Sequence, residues 1–298
     1  MSAVLQTGGD DGRGICAADS RFAMSNAASW PEALVGWIHE QLERVTTRPL
    51  VLFLGGSQGV GKTTAIRALE AAFPGALLSL SLDDFYLTLA ERQALAARVH
   101  PLCATRGPPG THDLAMVHYV IDQVCGPHMP ERLQLPVFDK ARDDRRPAPV
   151  SHGFEDRPRI ILVEGWLMGC RPDPQSPQAD PINDLERSQD PTGAWRAFQE
   201  EQLRDHYAKL WARADAFFYA LPSDFAFVEA WRTQQEIENR GLNPHDQDPE
   251  LAQWVAHFIA HYERLTRRMI EGAHHPGHRV LLRKDRTIAP LHNRKDTS

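Results

Sequence analysis

Eight residues constrain this chain more than any others. Gly56, Ser57, Gln58, Gly59, Val60, Gly61, Lys62 and Thr63 fit the pattern G-x-x-x-x-G-K-[ST]. The apolar run Leu50 to Leu54 before them reads as a buried strand, and Thr64 to Ala72 after them reads as a helix. Strand, glycine loop and helix in that order are what a nucleotide phosphate-binding loop requires. The glycines let the backbone close around a polyphosphate. Successive amide N–H groups and the positive end of the helix then face the anion. Lys62 supplies a point charge for the β/γ oxygens and Thr63 a hydroxyl for Mg²⁺. The nucleotide-binding set is therefore expected to run from Gly56 through Thr64.

Composition narrows the partners. The chain has 298 residues, 42% of them hydrophobic, and a formal net charge of −6. Nucleic-acid binding is disfavoured, because it needs a concentrated positive patch. The cysteines, Cys16, Cys103, Cys125 and Cys170, are scattered without metal spacing, as in a reduced, cytoplasmic protein. The N-terminus lacks an apolar signal core, and no apolar run reaches the ~18 residues needed to span a membrane. The oligomeric state stays open.

Strand-like and helix-like patterns alternate along the chain. Residues 1–28 are rich in Gly, Ala, Ser and Asp and are expected to be mobile, with one domain over 29–298. Helices are expected over Trp30–Val45, Glu91–Val99, Thr111–Val124 with Thr111 as cap, Trp195–Trp211, Phe225–Arg240 and Glu250–Ile270. Strands are expected at Ala76–Leu82, Ile160–Gly165, Ala216–Leu221 and His278–Leu282, with a short extended piece over Leu133–Asp139 and a charged loop over Lys140–Arg146. Residues 171–193 are dense in Pro, Asp, Gln and Ser and read as a surface insertion. The alternation implies an α/β fold, a mostly parallel sheet with helices on both faces. Ligands bind at the carboxyl ends of such strands. The phosphate loop, Asp83-Asp84 and Glu164 all fall there.

Phosphoryl transfer needs metal ligands, cations on the phosphates and a group that orients the nucleophile. Glu164 follows four apolar residues, where an acid is costly unless it is paired or binds a cation. It is the second candidate for Mg²⁺, with Thr63. Of Asp83 and Asp84, one is suited to take the proton of the substrate hydroxyl and the other to support Mg²⁺.

Further blocks carry a resemblance. Ser81-Leu-Asp-Asp-Phe-Tyr-Leu-Thr88, Arg106-Gly-Pro-Pro-Gly-Thr-His-Asp113, Leu135-Pro-Val-Phe-Asp-Lys140, Val163-Glu-Gly-Trp166 and Trp231-Arg-Thr-Gln-Gln-Glu236 follow the phosphate loop in order. Together they span roughly residues 50–290, and the chain resembles the P-loop kinase family that includes D-glycerate 3-kinase. More distant relatives are uridine kinase, phosphoribulokinase and bacterial pantothenate kinase. The resemblance implies a P-loop NTPase-type kinase with a lid. It makes Asp83 the base, which also sits beside the metal. It puts Arg232 on a lid helix, reaching the transferring phosphate, so that the catalytic set is Asp83, Lys62 and Arg232. It places Arg106, His112 and Asp113 on the acceptor side, and Asp139 and Lys140 beside the acceptor pocket. Asp84, Tyr86 and Arg145 complete the expected substrate-binding set. The family pattern carries a Ser after Phe/Tyr-Asp-Lys and then a Gly-rich stretch before an Asp-Arg pair. Here Phe138-Asp-Lys140 runs on into Ala141-Arg-Asp-Asp-Arg-Arg146, and either Asp144-Arg145 is that pair in a shortened loop or the acceptor differs.

The expected activity is transfer of the ATP γ-phosphoryl to a small hydroxylated acceptor, which the resemblance implies is D-glycerate. A nucleoside or pantothenate-like acceptor and a nucleotide-driven switch are the alternatives. ATP is preferred to GTP, because Arg283-Lys-Asp285 lacks the Asn of a guanine-reading motif. His257 and His261, four apart, lack the H-E-x-x-H glutamate of a zinc site. Trp254, Phe258 and Tyr262 recur every four residues and read as core packing.

Overall fold

The five strands expected from the sequence pattern form one sheet. The structure, a computed structural model, describes residues 29–43, 48–243 and 248–290. The expectations for residues 1–28 and for Val45 lie outside the described residues. Along the chain come α1 (Trp30–Leu42), β1 (Leu50–Gly56), α2 (Lys62–Ala72), β2 (Leu77–Ser81), α3 (Leu89–Arg98), α4 (Leu114–Cys125), β3 (Arg132–Leu135), β4 (Phe138–Asp139), β5 (Asp144–Arg145), β6 (Val150–Gly153) and β7 (Ile160–Gly165). Then follow α5 (Asp184–Gln189), α6 (Ala194–Gln202), α7 (Ala208–Trp211), β8 (Ala216–Pro222), α8 (Ala226–Arg240), α9 (Pro249–Ala260), α10 (Glu263–Ile270) and β9 (His278–Leu282).

The main sheet has the order β2-β7-β1-β8-β9, and each of its neighbouring pairs is parallel. Alternate side chains leave it in opposite directions, so it has two cores. Val51, Phe53, Ile161, Val163, Phe217 and Tyr219 pack on one face with residues of α4, α7 and α10. Leu50, Leu52, Leu54, Ile160, Leu162 and Phe218 pack on the other with α1 and α2. β1 and β7 are buried along their whole length. That is why they read as continuous apolar runs rather than alternating ones. Two small antiparallel pairs, β3 with β6 and β4 with β5, lie outside this sheet. They fold the segment between α4 and β7 into short hairpins, and β6 was not anticipated.

Register aligns the functional row. Leu54 of β1 and Ser81 of β2 both pair with Glu164 of β7. The phosphate loop, Asp83 and Glu164 therefore leave the same edge of the sheet at the same height.

Several local expectations are corrected. Thr111 does not cap α4. Asp113 does, its carboxylate accepting from Met116 N at 3.0 Å. Thr111 is buried, accepting from Gly107 N at 2.9 Å and donating to Pro108 O at 2.8 Å. The helix expected over Glu250–Ile270 is broken between α9 and α10. The helix expected from Trp195 contains a π-turn at Leu203–Tyr207, between α6 and α7. The segment 171–193 is not a plain surface loop. Its Glu186 is buried against the Arg264 guanidinium, with contacts of 2.8 and 2.6 Å. Asp190, 1% exposed, accepts from Trp195 N and from Arg196 Nε, both at 2.9 Å.

Arg196 is itself 2% exposed, so removing Asp190 leaves a buried charge unpaired. Asp190→Ala is expected to cost ~3 kcal/mol or more in urea unfolding. A loss below ~1 kcal/mol would show that this segment is a surface addition after all.

Candidate active site

The glycine loop is built around contacts that exclude side chains. Gly59 has φ +70°, and a Cβ there would lie 2.6 Å from Trp231 Cβ and 2.7 Å from its carbonyl carbon. Gly61, at φ +98°, caps α2, whose first turn holds no acidic residue. The helix N-terminus is thus left open to an anion. Lys62 Nζ folds onto the loop, donating to Gly56 O at 2.8 Å and Ser57 O at 3.2 Å, and lies 3.9 Å from Glu164 Oε2. Ser57 Oγ and Gln58 Oε1 are buried with no hydrogen-bond partner among the described residues. Open amides, a mobile cation and orphaned polar atoms together fit a polyphosphate.

Glu164 accepts a hydrogen bond from Ser81 Oγ. Burial raises its pKa above the usual carboxylate value, against the lowering effect of Lys62. A carboxylate in that condition gains from a nearby cation. Glu164 and Thr63 line the same cleft. Among the described residues, no group of three or more His, Cys, Asp or Glu could hold a metal by itself. A metal here would complete its shell with phosphate oxygens and water, which suits Mg²⁺.

Asp83 and Asp84 are separated by the turn that follows β2. Asp83 accepts from Tyr86 OH at 2.6 Å and from Lys140 Nζ at 2.7 Å. Burial pushes its pKa up, but the Lys140 ammonium, the two hydrogen bonds and Lys62 prevail, and Asp83 stays ionised well below the usual carboxylate range. Asp84 instead accepts from Phe138 N at 3.0 Å, and burial raises its pKa. Asp83 lines the cleft and Asp84 lies in its wall.

The phosphate-loop cleft has a volume of about 560 Å³ and is bordered by Gly59 to Thr64, Arg67, Glu164 and Arg286. A narrow recess of about 40 Å³ lies beside it, reaching Tyr86, Arg106 and Trp166. Gln58, Lys62, Asp83, Lys140 and Arg232 border both cavities. Arg232 is ion-paired to Glu236 and rests 4.4 Å over the Phe258 ring.

The other expected substrate residues stand behind this surface. Burial lowers the His112 pKa to about 4, so its ring is neutral, and Nδ1 meets Tyr207 OH at 2.6 Å. Asp113 caps α4. Arg145 donates to Tyr86 O at 2.8 Å and lies 3.5 Å from Asp113. Asp139 accepts from Ala141 N and Arg142 N at 3.1 and 3.2 Å, closing a turn. None of the four borders the recess or the cleft. They shape the wall on which Arg106 and Lys140 stand.

Sequence reasoning missed several residues that do border it. The break before α10 lets Tyr262 OH donate to Arg106 O at 2.7 Å, and Trp166 Nε1 donates to Gly107 O at 3.0 Å. Gly107, at φ +108°, could not carry a Cβ, which would lie 2.5 Å from Tyr262. The stripe Trp254, Phe258, Tyr262 is therefore not plain core. Phe258 and Tyr262 border the recess, and Trp254, 41% exposed, stacks on Phe258. The four-residue recurrence of these aromatics was the available signal. Arg286 was also missed. It donates to Gly59 O at 2.9 Å and lies 5.4 Å over the Trp231 ring. Asp285 only closes a turn on Thr287. His257 and His261 pack edge to face at 5.3 Å.

No protein-family model matches the chain. It is 29% identical over 229 residues to an uncharacterized kinase of Schizosaccharomyces pombe, covering 72% of this chain and 80% of the relative. It is 29% identical over 231 residues to the chloroplastic D-glycerate 3-kinase of Arabidopsis thaliana. The match covers 72% of this chain and 47% of that protein, so the chain spans about half its length. A solved D-glycerate 3-kinase from Cryptococcus neoformans var. grubii superposes with a TM-score of 0.70 at 25% identity, covering 87% of this chain and 97% of that one. In sequence and fold the chain is similar to glycerate-kinase-like P-loop kinases. The fold expected from sequence, a mostly parallel α/β sheet with helices on both faces, is the one observed, and the phosphate loop follows the central strand of its sheet. Among the described residues no helix is long and apolar enough to cross a membrane.

The separation of the two aspartates has a kinetic consequence. Asp83→Asn is expected to cut kcat by ~10²-fold or more while leaving ATP binding within twofold. Asp84→Asn keeps an acceptor for Phe138 N and is expected to retain most activity. Steady-state kinetics on both variants check this, and the reverse order would exchange their roles.

Proposed function

We propose that this protein transfers the γ-phosphoryl group of Mg·ATP to the primary hydroxyl of D-glycerate, giving 3-phosphoglycerate. The observation that carries the reading is the junction of the two cavities. A cleft fitted to polyphosphate and a recess too small for a macromolecule share Gln58, Lys62, Asp83, Lys140 and Arg232. Such a junction is where a donor phosphate and an acceptor hydroxyl must meet in line.

The charge of the recess supports an anionic acceptor. Lys62, Arg106, Lys140 and Arg232 face it against one carboxylate, Asp83. The names of the Arabidopsis and Cryptococcus relatives support glycerate in particular. A nucleoside would need an open aromatic slot. Phe85, Tyr86 and Phe138 offer none, being 1%, 4% and 6% exposed, with Tyr86 packed edge to face on Phe138 at 5.0 Å. An anionic small acceptor also agrees with a net charge of −6, which disfavours nucleic acid. We read residues 29–298 as one kinase domain acting in the cytoplasm.

The geometry supports the following roles. The loop amides and Lys62 hold the phosphates, Lys62 leaving the carbonyls of Gly56 and Ser57 to do so. Thr63 and Glu164 would hold Mg²⁺, which neutralises charge on the β- and γ-oxygens. Asp83 is too acidic to strip a hydroxyl early. It orients the hydroxyl and accepts its proton late, as suits a loose phosphoryl-transfer transition state. Arg232 leaves its seat on Phe258 to neutralise the transferring group and exclude water.

A coupled ADP-release assay with D-glycerate, L-glycerate, glycerol, uridine and pantothenate tests the reading. D-Glycerate is expected to give the largest stimulation, and Lys62→Ala to abolish it. Stimulation by uridine or pantothenate but not by glycerate would refute the acceptor assignment. Near-normal turnover in Lys62→Ala would refute the phosphate site.

A further inference from the structure

We propose that Asp143 is the positioning residue of a carboxylate subsite centred on the Arg106 guanidinium; this rests on the anionic-acceptor reading above. Arg106 reaches the recess with its side chain 17% exposed. Its Nη1 is paired with Asp143 Oδ1, and its guanidinium lies 5.5 Å over the Phe138 ring. The Arg106 side chain makes no other hydrogen bond among the described residues. Nη2 and Nε therefore remain as a fork, the geometry that takes a carboxylate through two parallel bonds.

Asp143 is held where it stands by a second arginine. Arg92 is fully buried, and its donors go to Leu87 O at 3.3 Å, Ala104 O at 2.6 Å and Asp143 O. Arg92 Nη2 also lies 3.0 Å from Asp143 Oδ2. The two carboxylate oxygens are thus divided between Arg92, anchored in the interior, and Arg106, facing the recess. Both guanidinium groups also approach the Phe138 ring, with Arg92 at 5.7 Å from its centroid.

The backbone is bent to deliver this carboxylate. Asp143 has φ +54°, in the left-handed region that few side chains other than Asn and Asp occupy. Its neighbour Asp144 performs a separate task, accepting from Leu89 N at 2.9 Å. Lys140, Arg232 and Lys62 have carboxylates of their own in Asp83, Glu236 and Glu164, so without Asp143 it is Arg106 that would lose its ion-pair partner and the contact that fixes its long side chain. The loop that departs from the family pattern thus supplies a specificity-determining residue.

The test compares Asp143→Asn and Asp143→Gly with the wild type. Both replacements tolerate the left-handed backbone, so both are expected to fold, and an unchanged KM for ATP checks that. We expect kcat/KM for D-glycerate to fall about 10-fold or more, mainly through KM, while the weak turnover of uncharged glycerol stays within twofold. Discrimination between acid and alcohol shrinks accordingly. If Asp143 merely neutralised positive charge, its loss would leave D-glycerate turnover unchanged or improve it, and the proposal would fail. It would also fail if both acceptors declined together, because that is the mark of a structural role. Wild-type turnover of uncharged alcohols only would overturn this proposal and the acceptor reading alike. Turnover of a different hydroxy acid would overturn the acceptor reading alone, and the same comparison made with that acid would then decide the role of Asp143.

Discussion

Two carboxylates and two ammonium groups meet at the carboxyl edge of the sheet, and each is tolerable there because of the others. Asp83 is held ionised by Lys140 at 2.7 Å, and Glu164 is relieved of part of its desolvation by Lys62. Taken singly, a buried carboxylate would shift its pKa and neutralise. Taken together, the four groups form a polar seam between a nucleotide cleft and a small recess. The parallel register makes the seam, because Leu54 and Ser81 both pair with Glu164. The loops after β1, β2 and β7 then have no choice but to converge.

The surrounding structure is arranged to keep that seam in place. Trp166 and Tyr262 tie the backbone of Arg106 and Gly107 to the core. The buried pairs of Glu186 with Arg264 and Asp190 with Arg196 tie residues 171–193 to α10 and α6. Buried ion pairs are weak sources of net stability, but breaking one is costly, so they specify a single arrangement. Trp231 packs against Gly59 and donates to Lys284 O at 2.7 Å, which links α8, the phosphate loop and the turn after β9. A movement of Arg232 on α8 is therefore mechanically joined to the nucleotide loop.

The strands and the phosphate loop were legible in the sequence because both obey local rules. A strand buried on both faces must be apolar throughout, and a loop that wraps phosphate must be rich in glycine. What could not be read was set by tertiary partners. Thr111 and Asp113 are both good caps, and only the hydrogen bonds of Thr111 to the Gly107–Pro108 turn leave capping to Asp113. The break between α9 and α10 has no Pro or Gly to announce it. It is paid for by the contacts of Tyr262. The polar composition of residues 171–193 suggested solvent, but Arg196 from the adjoining α6 and Arg264 from distant α10 satisfy its acids. The candidate site divided in the same way. Lys62, Asp83, Glu164 and Lys140 sit at strand ends and were readable, whereas Phe258 and Arg286 enter from elements remote in sequence. Asp84, His112, Asp113 and Asp139 belong to motif blocks, and Arg145 to the charged loop after one, in which wall-building and facing residues look alike until the chain is folded.

In the proposed function the recess presents an acceptor hydroxyl to Asp83 with the acceptor's carboxylate held away at Arg106. Phosphorus NMR of a reaction with ATP and D-glycerate tests this directly, because it shows where the γ-phosphorus goes. It is expected to appear as 3-phosphoglycerate in step with ADP. Appearance as 2-phosphoglycerate would contradict the placement of the acceptor, and appearance as inorganic phosphate would contradict the claim that the recess holds a nucleophile other than water.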